Sequence, residues 1–204
     1  FHRHPDSVVL TYHRIDSNFH IGLNVLHPDK FRQHVQFIAD CNKSGKYKRP
    51  LIISFDDGYE SVYKYAFPIM EEYGIKGLIF PVTGYIGKYN DWDINFFINR
   101  TQHLNISQIT TLSNQGWEIG SHGHIHRGYS RMNPPDIKQD LEISKRTLED
   151  ITGKEVKSFS PPFGDLTEIC FNMIRETGYK NLFIQKPLRK KKIEQKNLRI
   201  SYSR

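Results

Sequence analysis

The chain has 204 residues, with 29 Lys and Arg against 22 Asp and Glu, a formal charge of +7 and a pI of about 9.3. The excess is local: residues 186–204 hold eight basic side chains (Lys186, Arg189, Lys190, Lys191, Lys192, Lys196, Arg199 and Arg204) and one acid, Glu194, while residues 1–185 balance to zero. A uniformly basic body of the kind that binds nucleic acid is thereby excluded, and the chain divides into a neutral domain, 1–185, and a basic segment, 186–204. Residues 7–12 form an apolar, β-branched run that predicts a strand. Residues 28–41 place Phe31, Val35 and Ile38 at helical spacing behind Pro28, where a helix tolerates proline. A buried strand is predicted over 51–55, then a helix over 59–73 that Pro68 must bend or interrupt and Gly74 ends. There follow a strand over 77–82, a long polar and aromatic loop over 84–105, a helix over 106–114 and a strand end over 117–120. A helix over 135–152, a strand over 156–159, a helix over 166–177 stopped by Gly178 and a short strand over 181–184 complete the domain.

Strands alternating with helices argue for a parallel α/β sheet or barrel, in which sites form at the carboxyl ends of the strands. No stretch approaches the roughly 20 apolar residues of a membrane-spanning helix. Cys41 and Cys170 are too few for a disulfide framework, and two buried thiols are expected. There is no initiator Met and no signal-peptide pattern, so the chain is expected to start inside a longer precursor.

The predicted strand ends carry Tyr12-His13-Arg14, Asp56-Asp57-Gly58, Ser121-His122-Gly123-His124-Ile125-His126 and Ser160-Pro161-Pro162-Phe163-Gly164. Adjacent carboxylates after a buried strand repel unless a cation or donor intervenes; taken alone, the same residues also read as a helix start with Asp57 as its cap. His122 and His126 share a face whether their segment is extended or helical. Imidazoles with a carboxylate suit zinc and other first-row divalent ions. Asp57 with two imidazoles gives three protein ligands and leaves a position open for water, the catalytic arrangement rather than the closed structural one.

Together, Ser54-Phe55-Asp56-Asp57-Gly58, His122-x-x-x-His126 and Pro161-Pro162-Phe163-Gly164, in this order, resemble the first three motifs of the polysaccharide deacetylases with a NodB-homology domain (carbohydrate esterase family four). The resemblance spans roughly residues 7–185, and Tyr12-His13-Arg14 with the phrase Gly-Trp-Glu-Ile-Gly-Ser-His at 116–122 makes it most similar to the poly-N-acetylglucosamine deacetylase branch. It implies a distorted (β/α) barrel of about seven parallel strands. It implies Asp56 as catalytic base and Asp57, His122 and His126 as ligands of a divalent metal, zinc first, with nickel, cobalt or iron as alternatives. The Pro161–Gly164 turn matches the groove wall, and the backbone N–H of Phe163 matches an oxyanion donor. Three features depart from the family pattern. Gly123 stands where a Ser or Thr is usual, Ser160 stands where an Arg pairs with the catalytic Asp, and no His follows His126 to match the late Leu-x-His motif. His13 is then the candidate general acid.

The expected function is metal-dependent removal of N-acetyl groups from an N-acetylhexosamine polysaccharide (poly-N-acetylglucosamine, peptidoglycan or chitin-like), with release of acetate. The alternatives are a catalytically impaired carbohydrate-binding relative and a barrel that only scaffolds a polyanion-binding tail. The expected setting is extracytoplasmic, secreted or at the cell envelope, and the expected state a monomer with no nucleic-acid partner. Arg189-Lys190-Lys191-Lys192 offers peripheral envelope association. Trp92, Phe96 and Phe97 are candidates for stacking on sugars, and Asp91 and Asp93 for meeting an amino sugar. Asn42-Lys43-Ser44 and Asn105-Ile106-Ser107 fit the glycosylation pattern.

Overall fold

The computed structural model describes residues 8–17, 24–45, 50–91, 101–185 and 199–203. In chain order the strands are β1 (Val8–Tyr12), β2 (Arg14–Ile15), β3 (Val25–Leu26), β4 (Leu51–Phe55), β5 (Leu78–Ile79), β6 (Glu118–Ile119), β7 (Ser158–Phe159), β8 (Asn181–Gln185) and β9 (Arg199–Ser203). The α-helices are α1 (Pro28–Ser44), α2 (Phe67–Glu72), α3 (Ile106–Asn114), α4 (Pro134–Thr152) and α5 (Glu168–Glu176). Seven strands form one sheet in the order β6-β5-β4-β1-β9-β8-β7, every pair parallel. β2 and β3 pair separately.

The sheet curls until strands far apart in its order touch. Phe80, just past β5, packs on Phe183 of β8 with ring centroids 5.1 Å apart, and Val9 and Leu78 join them in an inner cluster. The edge strands β6 and β7 meet through one parallel bridge, Ser121 with Phe159, flanked by Ser121 N–H to Ser158 O (2.9 Å) and Ser160 N–H to Ser121 O (2.9 Å). The described residues therefore form a distorted parallel barrel that no continuous ladder closes. β5, β6 and β7 are shorter than their apolar runs predict. Pairing continues past them with irregular spacing, Phe80 N–H to Phe55 O (2.8 Å) and His122 N–H to Pro81 O (3.1 Å), as the backbone bends toward the barrel mouth.

The helices form where apolar spacing and caps agree. α1 buries Phe31, Val35 and Ile38 and ends at Gly45 in the left-handed region. Asn105 and Gln108 form a capping box on α3, and Asn133 and Thr167 cap α4 and α5. Both asparagines of the glycosylation pattern have structural duties: Asn105 is that cap, and Asn42 exchanges hydrogen bonds with the backbone of Leu51. The predicted interruption at Pro68 is a π-helical turn over Val62–Ala66, with Phe67 N–H reaching Val62 O. A wide turn makes room for a proline ring that would clash with the carbonyl four residues back. No helix among the described residues is long and apolar enough to cross a membrane.

One boundary drawn from charge needs correction. Arg199–Ser203 pairs with β8 along its whole length and with β1 at Val9, so part of the basic segment is an interior strand of the sheet. The sequence there alternates apolar and polar residues (Leu198, Ile200, Tyr202 against Arg199, Ser201, Ser203), and counting charge hides that alternation. Residues 186–198, Arg204, Trp92, Asp93, Phe96 and Phe97 lie outside the described residues.

Candidate metal centre

Because the strands are parallel, the residues following β1, β4, β6 and β7 emerge at one end of the barrel. Asp57 follows β4, and His122 and His126 follow β6. Asp57 Oδ1 lies 3.2 Å from His126 Nε2 and 3.4 Å from His122 Nε2, and one ligand atom from each residue falls within 4.8 Å of the others. The non-glycine residues with positive φ among those described are Asp57 (67°), His126 (52°) and Phe163 (60°). All three belong to the predicted site, and such backbone strain persists only where surrounding structure enforces it.

The donor chemistry fits a divalent cation. His122 Nδ1 lies 2.7 Å from the Ser160 carbonyl, which can only accept, so Nδ1 carries the proton. Burial drives His122 down to about 4, against the pull of the Asp57 carboxylate, so its ring is neutral near pH 7 and Nε2 holds a lone pair. That lone pair faces the Asp57 carboxylate, two acceptors confronting each other in a buried site, and a cation between them resolves the conflict. Burial pushes the Asp57 carboxyl up, but the hydrogen bond from His126 and the charges of His122, His126 and His13 outweigh it and bring it to about 2. Asp57 is therefore an anion at any working pH, and the Ser160 carbonyl fixes the tautomer that a ligating imidazole needs. His124, between His122 and His126 in sequence, is turned away: its Nδ1 meets Thr83 Oγ1 at 2.9 Å.

The other predicted residues surround this trio. Asp56 is buried beside Asp57, its N–H bonded to Tyr12 O (2.9 Å), and Ser160 Oγ donates to its Oδ2 at 3.4 Å. Ser160 thus occupies the position facing Asp56, a neutral hydroxyl where the family pattern has a cation. Phe163 is 69% exposed in a tight turn, with its ring 4.8 Å from that of His126. His13 follows β1 and lies close enough for its charge to act on both Asp57 and His122. Asp91, exposed, accepts from the Tyr85 hydroxyl at 2.6 Å.

Sequence reasoning passed over His103. Buried and stacked on Tyr59 with centroids 4.9 Å apart, it donates from Nδ1 to the Asp57 carbonyl at 3.0 Å. Its neighbour Leu104 N–H donates to Gly58 O at 2.8 Å. Segment 102–104 thereby clamps the strained Asp56-Asp57-Gly58 turn. The only sequence signal was a histidine just before a helix cap, which carries no address to a residue more than forty positions away.

A curled parallel barrel thus carries one carboxylate and two imidazoles at its mouth, a group that could hold one metal ion. The sequence model of the polysaccharide deacetylase family matches residues 43–182, and the chain belongs to that family. It is 26% identical over 164 residues to the poly-beta-1,6-N-acetyl-D-glucosamine N-deacetylase of Staphylococcus aureus (strain MRSA252), covering 76% of this chain and 54% of that protein. It is 25% identical over 187 residues to YxkH of Bacillus subtilis, covering 84% and 61%. The chain thus spans between half and two thirds of the length of these relatives. In fold it is similar to IcaB from Ammonifex degensii, with a TM-score of 0.73 at 20% identity over 89% of this chain and 84% of that one. The Streptococcus pyogenes deacetylase PplD gives the same TM-score at 18% identity over 88% and 83%.

Proposed function

We propose that this chain is a metal-dependent hydrolase that removes N-acetyl groups from an N-acetylhexosamine polymer and releases acetate. The observation that carries the reading is the Asp57–His122–His126 cluster with Asp56 adjacent in the same buried turn. A divalent cation, zinc first, held by those three residues would supply Lewis acidity, acidifying a water and polarising the amide carbonyl. Asp56 takes the proton of the attacking water. The Phe163 N–H, in a turn whose next two N–H groups are occupied by Pro161 O and Pro162 O, donates to the developing oxyanion. His13 returns a proton to the leaving amine. The exposed Phe163 ring beside His126 offers a flat apolar lip for a sugar face.

A poly-N-acetylglucosamine substrate is supported by the activity named for the Staphylococcus aureus relative. Such polymers lie outside the cytoplasm, which favours secretion or envelope association, with the basic run Arg189-Lys190-Lys191-Lys192 as the contact to an acidic surface and the chain acting as a monomer. Zinc-loaded protein is expected to release acetate from N-acetylglucosamine polymers, and Asp56→Ala to lose at least about a hundredfold of that rate. Equal, background-level release by both proteins from every polymer tried would overturn the reading.

Ser160 supports a second reading, a carbohydrate-binding relative with impaired catalysis, because it places a hydroxyl against Asp56 at the position where the family pattern has an Arg. Sugar binding that survives Asp57→Ala, in a protein that shows no turnover when loaded, would favour it.

A further inference from the structure

The loop that carries His122 and His126 rests on a buried carboxylate outside every motif discussed so far. Asp140 of α4, 5% exposed, accepts through Oδ1 from the backbone N–H groups of His124 (3.0 Å) and Ile125 (2.9 Å). Its Oδ2 accepts from the hydroxyl of the buried Tyr129 at 2.7 Å. The two N–H groups lie between the two ligands in sequence, so this carboxylate sets the peptide planes that lead from His122 to His126, where φ is 52°. Tyr129 in turn stacks on Phe159, which precedes Ser160, whose carbonyl orients His122. The pair also dictates the residue after His122. At Gly123, φ is 80°, and a Cβ would stand 2.7 Å from Asp140 Oδ2 and 3.0 Å from the Tyr129 hydroxyl.

We infer that Asp140, tied to Tyr129, is the positioning residue of the metal loop, and that Gly123 is glycine because this pair fills the space beneath it. The inference rests on the metal-ligand reading of Asp57, His122 and His126. A buried carboxylate accepting two backbone N–H groups and one hydroxyl is tied at both oxygens, so it has little freedom to shift. Removing it leaves two N–H groups without their acceptor and lets the strained His126 backbone relax away from Asp57.

The test is metal binding, read without substrate. Protein stripped with a chelator is titrated with Co(II) and followed by visible absorption, then displaced with Zn(II). Asp140→Ala is expected to bind Co(II) about 10- to 100-fold more weakly than wild type, with an altered absorption envelope. Gly123→Ala is expected to follow it, and Tyr129→Phe to lose about threefold to tenfold. Asp140→Asn keeps an acceptor for both N–H groups and is expected to restore affinity to within about tenfold of wild type. A purely structural role would lower the melting temperature of the variants and leave the affinity and spectrum of the folded fraction unchanged. Wild-type affinity and spectrum in a folded Asp140→Ala overturns the inference. If that variant does not fold, wild-type binding by both Tyr129→Phe and Gly123→Ala overturns it instead. A wild-type chain that binds no Co(II) or Zn(II) overturns the metal reading along with it. Metal-binding losses as expected, with no acetate released by any protein, sustain the inference and sink only the deacetylase proposal.

Discussion

Two short segments hold the three residues that could bind a metal ion, Asp57 in one and His122 and His126 in the other, and each is held from outside by a different kind of group. Each must keep a non-glycine residue at positive φ with its side chain aimed at the other segment. The Asp56-Asp57-Gly58 turn is held by contacts to its backbone: Asp56 N–H to Tyr12 O, Leu104 N–H to Gly58 O and His103 to the Asp57 carbonyl. It is also packed tightly, since a Cβ at Gly58 would stand 2.7 Å from Pro81 Cα. The His122–His126 loop is held from beneath by a side-chain carboxylate, with Thr83 and Gly84 N–H groups closing on the carbonyls of Gly123 and His124 at 3.1 and 2.9 Å. Each segment therefore has backbone partners and one side chain from far along the chain: a donor imidazole on a carbonyl of the turn, and an acceptor carboxylate beneath two N–H groups of the loop.

Removing a ligand should erase the difference. Asp57→Ala and His126→Ala are each expected to weaken zinc binding about a thousandfold, taking an even share of the 10–16 kcal/mol typical of a structural zinc site. Calorimetry or competition with a chromogenic chelator measures this, and a tenfold effect or less in either would mean that residue is not a ligand. Gly58→Ala should break the turn alone, costing about 3 kcal/mol through positive φ and collision with Pro81. Urea denaturation of the metal-free variant checks it, and a change under about 0.5 kcal/mol would show that the turn can move.

Acid should strain both segments with the same sign. His122 sits at about 4 in the fold against an ordinary 6.5, so between those values the unfolded chain binds a proton that the folded chain does not. Metal-free stability therefore falls as pH drops through that window, by about 3 kcal/mol at most. Asp57, at about 2 against 3.8, adds a further loss of the same sign below pH 3.8. Urea midpoints from pH 7 to pH 4 test this; a His122→Gln variant that retains the full wild-type slope would refute the assignment to His122. A smaller effect separates the clamps. His103→Leu should weaken metal binding about tenfold, while His103→Gln, which can still donate to the Asp57 carbonyl, recovers part of it. Equal affinities for the two variants would reduce His103 to packing. The smallest change is expected from Ser160→Ala: zinc affinity stays at the wild-type level because the carbonyl to His122 remains, and acetate release shifts by a few fold through the lost contact to Asp56.

The two segments also differ in how far they could be read from sequence. The first is nearly self-contained: buried strand, paired acids and glycine announce both chemistry and turn within a few residues. His122 and His126 were legible for the same reason, being close together directly after a strand. Their support was not. Asp140 and Tyr129 look like an ordinary helix acid and an ordinary core tyrosine until the fold brings them beneath Gly123. Helix and strand types followed from local periodicity, whereas β9 was concealed because Arg199 and Arg204 were counted with a basic tail, and parallel pairing across the barrel leaves no local trace. The departure at Gly123 looked like a lost hydroxyl; the structure shows the space already filled.

The place of β9 bears on how the molecule is made. The two strands it joins, β1 and β8, come from opposite ends of the described chain, and Val9 pairs with Ser203. During synthesis the other eight described strands leave the ribosome before it. Until Arg199–Ser203 emerges, the Asp57 and histidine segments belong to one open half-sheet and the Ser160 and Phe163 turn to another, joined by the Ser121–Phe159 bridge. Both halves then present open edges to other chains, the condition in which β-proteins aggregate. A pairing so distant in sequence is also slow to form. β9 is thus the described strand whose ladders join the two halves, and the Asp57, His122 and His126 cluster is fully framed by them only when translation has passed it.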